Sequence, residues 1–66
     1  MNKRTFKELR KIILKVLNIP KSTRQISREI NAEWRTTKKQ LMWLKAEDKV
    51  EIASKSDKEI IWKRKD

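Results

Sequence analysis

The sequence predicts a mostly helical α+β domain in which three helices are followed by a C-terminal β-hairpin. Apolar residues recur at helical spacing through residues 6–17 and 34–47. Two segments, Thr5 to Glu8 and Ser22 to Gln25, have the Ser/Thr-x-x-Glu/Gln spacing in which side chains satisfy free N–H groups at a helix start. The alternation of Val50-Glu51-Ile52 and the apolar run Ile60-Ile61-Trp62, separated by polar residues, suit two paired strands.

Taken in order, the first helix spans about residues 6–17. Phe6, Leu9, Ile12, Ile13, Val16 and Leu17 form its apolar arc, with Lys7, Glu8, Lys11 and Lys15 opposite and Leu14 outside the arc beside Arg10. Asn18 tolerates a helix-ending conformation and Pro20 disfavours the helical conformation at Ile19, so the helix stops there. A second helix over about 23–30 buries Ile26 and Ile30 and exposes Arg24 and Arg28. Its Ser27 is small enough to let a neighbouring helix come close. The chain has no glycine, so Asn31 is the residue best suited to the left-handed position in the tight turn that follows.

The third helix spans about 34–47. At about 100° per residue, Trp34, Thr37, Leu41 and Leu44 fall on one stripe facing a core. Arg35, Lys38, Lys39 and Met42 lie opposite, while Thr36, Gln40, Trp43 and Glu47 lie off the core stripe. Between residues 34 and 46 there are four basic residues and no acid. The hairpin then spans about 50–62, with Ser54 to Lys58 as its tip, and residues 63–66 form a basic tail.

Sixty-six residues make one small domain, 1–66. With 19 Lys and Arg against 9 Asp and Glu, the formal charge is +10, and a polyanion is the expected partner. Residues 1–28 hold nine bases and one acid, so most of the field comes from the first half. Lys7, Lys11 and Lys15, with Lys3 and Arg4, either lengthen a nucleic-acid footprint or add long-range attraction. The chain has no Cys and no His, which excludes a disulfide framework, thiolate or imidazole metal ligation and an imidazole base. No Gly-rich phosphate loop is present, and Glu47-Asp48 sits at a helix end as surface charge, so no catalytic residue, cofactor, metal or small-molecule ligand is expected. Apolar runs are short and no signal-peptide pattern is seen, so no membrane partner is expected. The expected location is cytoplasmic, on the nucleoid if the source is prokaryotic or viral.

The segment from Ser22 to Leu44, with Ile26-Ser27-Arg28-Glu29-Ile30 leading through Asn31-Ala32 into Arg35-Thr36-Thr37 and then Leu41 and Leu44, resembles the helix-turn-helix of the winged helix-turn-helix family. Small regulators of archaea and their viruses share the pattern, as do bacterial repressors of the arsenic-sensor and multiple-antibiotic-resistance types. The likeness runs from about Thr5 to Trp62 and rests on hydrophobic spacing. It implies a transcriptional regulator that binds double-stranded DNA, with the third helix in the major groove and the hairpin as a wing near the backbone. By position it places Trp34, Arg35, Thr36, Lys38, Lys39 and Met42 at the groove side, and Lys55 and Lys58 at the wing tip. Arg24 and Arg28 of the second helix complete the expected DNA-binding set. The sequence departs from the family in lacking a Gly where Asp48-Lys49 leads into the strand, and in an Arg-poor wing tip.

Several residues carry two readings. Arg35 is the better candidate for base readout, because a guanidinium grips guanine with two bonds, whereas Lys38 and Lys39 serve as point charges or simply face solvent. Met42 either contacts a thymine methyl or is an isolated exposed apolar residue. Trp34 is expected in the core, with contact of its ring edge to the DNA backbone as the alternative. Trp43 either packs under the wing near Trp62 or lies at a partner surface, and Trp62 anchors the returning strand. Leu14 marks either a homodimer through the first helix or a tolerated exposed leucine. The alternative functions are an RNA- or ribosome-associated winged-helix module and a protein-interaction adaptor using Leu14, Met42 and Trp43.

Overall fold

The computed structural model describes residues 5–65, with the element order α1 (Phe6–Val16), β1 (Lys21–Ser22), α2 (Thr23–Glu29), α3 (Trp34–Ala46), β2 (Val50–Lys55) and β3 (Ile60–Arg64). Lys3, Arg4 and the last tail residue, Asp66, lie outside the described residues. The three helices and an antiparallel sheet of order β1-β3-β2 make a small α+β fold. No helix among the described residues is long and apolar enough to cross a membrane.

At both expected capping boxes the hydroxyl half is made. Thr5 Oγ1 accepts from the Glu8 N–H at 3.1 Å, and Ser22 Oγ accepts from the Gln25 N–H at 3.1 Å. Helices α2 and α3 both end in a left-handed residue that lets the next two N–H groups turn back onto the helix. After α2, Asn31 has φ 55°, its N–H donates to the Arg28 carbonyl at 3.2 Å, and the Ala32 N–H donates to the Ser27 carbonyl at 3.0 Å. After α3 the pattern repeats with Asp48 at φ 66°, donating to Lys45, and Lys49 donating to Leu44. Asp48 therefore occupies a left-handed backbone position, which glycine takes most readily. Its carboxylate also accepts a hydrogen bond from Lys65 Nζ, which raises the Lys65 pKa above the ordinary lysine value through that bond and the attraction behind it. A raised lysine pKa means that the clasp contributes fully below the ordinary lysine range and fades as pH climbs through the raised value.

The core is formed by Leu9, Ile13 and Leu17 of α1 and the residue after it, Ile26 and Ile30 around α2, Leu41 and Leu44 of α3, Val50 of β2 and Trp62 of β3. Trp62 is fully buried, and its indole N–H donates to Thr23 Oγ1 at 2.7 Å, tying the central strand to the first residue of α2. Buried hydroxyls are satisfied within their own helices: Ser27 Oγ donates to the Arg24 carbonyl and Thr37 Oγ1 to the Glu33 carbonyl.

The structure corrects several expectations. The hairpin is part of a three-stranded sheet, because Lys21 and Ser22, extended after Pro20, pair with Trp62 and Ile61. Two residues flanked by a proline carry too little pattern to announce a strand. Lys21 is buried, with Nζ 2.6 Å from Glu29 Oε1, so this lysine is neutralised inside the domain. Leu14 is half-buried against the core, and its carbonyl accepts from Arg64 of β3 at 3.3 Å. The part of Leu14 that is buried packs against the domain's own core. Phe6, expected in the apolar arc, is largely exposed, since it opens α1 ahead of the packed layer.

Replacing Thr23 by Val keeps the side-chain shape and leaves the Trp62 indole N–H buried without an acceptor. This is expected to cost about 1–3 kcal/mol in urea unfolding. Asn31→Ala should lower stability by about 1–2 kcal/mol through the left-handed backbone penalty, whereas Asn31→Gly should not. Equal effects of the two changes would show that the Asn side chain, and not its backbone conformation, matters.

Candidate nucleic-acid interface

The hairpin is made asymmetric by one extra residue. Ile52 pairs with Trp62 but Ser54 pairs with Ile61, so Ala53 is a bulge in β2. Side chains alternate strictly along a strand, so one inserted residue reverses which face the later residues share. Before the bulge, Ile52 lies on the face of Trp62; after it, Lys55 lies opposite Ile60, on that same face. An unbroken alternation from Val50 and Ile52 places Ser54 there and Lys55 on the outer side. The bulge thus turns Lys55 toward the helices. Beyond it, the loop is closed by the Ser56 N–H donating to the Glu59 carbonyl at 2.8 Å and the Glu59 N–H donating to Ser56 Oγ at 3.2 Å.

The result is an open groove of about 1070 Å³ between the starts of α2 and α3 and the hairpin tip. Four cationic side chains line it, Arg24 from α2, Lys38 from α3, and Lys55 and Lys58 from the hairpin, together with Trp34 on the α3 side. Two carboxylates, Asp57 and Glu59, also line it, so the lining holds more positive than negative charge. Five residues of the expected binding set therefore share one concave surface.

Trp34 is 46% exposed, against the expectation that it belongs to the core. It is the first residue of α3 and lies at the edge of the buried stripe, where the packed layer begins only at Thr37. The Lys38 ammonium stands 5.2 Å from its ring centroid, one helical turn later, an attraction between a cation and the indole face. Glu33 caps α3 without a side-chain hydrogen bond, and no acid lies in the first turn.

The other members of the set lie elsewhere. Arg35, Lys39 and Met42 are exposed on the side of α3 turned away from Thr37, Leu41 and Leu44. Thr36 is half-buried on the flank opposite Trp34, and Arg28 is exposed on α2. On that opposite flank, Arg10 of α1 joins α1 to α3. Its guanidinium donates to Gln40 Oε1 at 2.9 Å and stands 4.0 Å from the Trp43 ring centroid. Gln40, expected off the core stripe, is 5% exposed because this arginine supplies its partner. Trp43 stays 47% exposed and meets Arg10, on the side of α3 away from the hairpin groove. Sequence spacing alone does not reveal Arg10, since its partners stand thirty residues or more away in the chain.

Among the described residues no group of three or more acids is arranged to hold a metal ion. Comparison with protein-family models, with curated proteins and with solved structures yields no match for this chain.

Arg10→Leu should destabilise the fold by about 1–3 kcal/mol, because it leaves the Gln40 amide buried without its donor. Pairing it with Gln40→Leu in a double-mutant cycle should recover part of the loss. A strictly additive pair of losses would mean that the two side chains are not coupled.

Proposed function

We propose that this chain is a winged helix-turn-helix protein that binds double-stranded DNA as a transcriptional regulator, with α3 in the major groove and the hairpin as the wing. The observation that carries this reading is the convergence of Arg24, Lys38, Lys55 and Lys58, from three separate parts of the chain, around one groove beside the cationic outer face of α3. A duplex presents phosphates on both sides of its major groove, and this chain offers cations both in the groove and on the outer face of α3. The acid-free stretch from residue 34 to 46 lets α3 approach without repulsion. Its thirteen residues make a rod about 20 Å long, of a width that the major groove admits.

In this reading, affinity comes mainly from phosphate neutralisation by lysine and arginine, and base preference from α3. Arg35 points outward near the start of the helix and offers a bidentate donor to a guanine edge. Met42, two turns further along the same side, offers an apolar contact to a thymine methyl. Lys38, Lys55, Lys58 and Arg24 hold the backbone. Leu14 is half-buried against the domain's own core, and the proposal needs no homodimer through α1.

Fluorescence anisotropy with labelled random-sequence duplex DNA, single-stranded DNA and an RNA hairpin across a salt series tests the reading. The expected result is a duplex preference whose log affinity falls with log salt by about 0.9 per phosphate contacted. Preference for the RNA hairpin at equal salt would move the chain to the RNA-binding alternative. Once a preferred site has been selected, Arg35→Ala should cost about 1–3 kcal/mol on that site and relax its sequence preference. Lys39→Ala should weaken all duplexes alike and reduce the salt slope by about one.

A further inference from the structure

We infer that the groove beside α3 is a stacking site for an unpaired nucleobase, so that the preferred ligand is duplex DNA with a locally opened or unpaired stretch. The inference rests on the proposed DNA reading and assigns its substrate class more narrowly. Phosphate contact alone needs cations, and an indole adds nothing to it. Yet Trp34 stands half-exposed on the wall of the groove, among Arg24, Lys38, Lys55 and Lys58.

An aromatic face amid cations that track a phosphate backbone is the arrangement by which proteins hold unstacked bases, since every base offers a π-face. Lys38 is placed for both tasks. Its ammonium sits 5.2 Å from the Trp34 ring centroid, where it polarises the indole and stands within the same groove as the hairpin lysines. Asp57 and Glu59, which weaken attraction for a phosphate, are hydrogen-bond acceptors suited to the amino groups of a base edge. A fully paired duplex hides its base faces within the stack and cannot use the indole. A stretch of mismatches next to a paired segment can, with the paired part against the outer face of α3 and one base turned into the groove.

The test compares wild type, Trp34→Leu and Trp34→Phe on two labelled duplexes of equal length, one fully paired and one with a short central bubble of mismatches. Leu keeps apolar bulk without a π-face, Phe keeps a smaller one, and circular dichroism checks that each variant is folded. In a Trp43→Phe background, emission from the exposed Trp34 reports stacking by its quenching, because Trp62 is buried. The bubble is expected to bind roughly five- to hundred-fold more tightly than the paired duplex, the worth of one stacked base. Trp34→Leu should abolish that preference and Trp34→Phe should retain part of it. Equal affinity of the wild type for both duplexes, or a preference that Trp34→Leu keeps, overturns the stacking site and leaves the duplex reading standing. Binding to the bubble with none to the paired duplex, lost in Trp34→Leu, upholds the stacking site and overturns the duplex reading. Absence of binding to either DNA overturns both.

Discussion

The buried indole of Trp62 is the constraint from which most of this structure follows. It lies on the central strand, opposite Lys21 on one side and Ile52 on the other, and its one polar atom is satisfied by Thr23 at the start of α2. An indole N–H left unpaired in a core is costly, so the strand must sit where that hydroxyl can reach it. This fixes the sheet against α2, and with it the position of the hairpin tip relative to the starts of both α2 and α3. The groove is a consequence of that placement.

Charge in this protein is sorted by pairing. Lys21 is neutralised by Glu29 in a partly buried pair, Lys63 faces Glu51 across the strands, and Lys65 clasps Asp48. These pairs lie on β1 with α2, along the hairpin, and at the junction after α3. The exposed pairs add little stability in water, but they cancel field locally. The outer face of α3 and the groove are different, since Arg35 and Lys39 stand on a helix without acids and the groove holds more cations than carboxylates. The side of the proposed DNA contact thus keeps cations that carboxylates of their own element do not cancel.

Two tryptophans flank α3 in comparable exposure, each beside a cation, yet their settings differ. Trp43 meets Arg10, whose other bond goes to a buried Gln40, so that contact belongs to the packing of α1 on α3. Trp34 meets only a lysine of its own helix among the contacts described, and opens onto a groove lined by other elements. The same residue type thus serves cohesion on one flank and is left available on the other. The absence of glycine is accommodated similarly: Asn31 and Asp48 accept left-handed backbone so that both helices can turn sharply.

What the sequence alone determined is local. Caps at Thr5 and Ser22, the break at Pro20, the left-handed Asn31, and the buried faces of Ile26, Ile30, Leu41 and Leu44 follow from interactions between residues a few positions apart, or from a periodicity that survives in any packing. The tertiary structure decided what depends on residues distant in the chain. It drew Lys21 and Ser22 into the sheet, buried Gln40 beside Arg10 and brought Arg64 of β3 to the Leu14 carbonyl. It also left Trp34 outside the core that its helical stripe suggested, because the layer behind α3 starts a turn later. The bulge at Ala53 shows the physical reason most plainly. Alternation along a strand is a property of the chain, but where it slips is set by the partner strand, and that slip turned Lys55 into the groove.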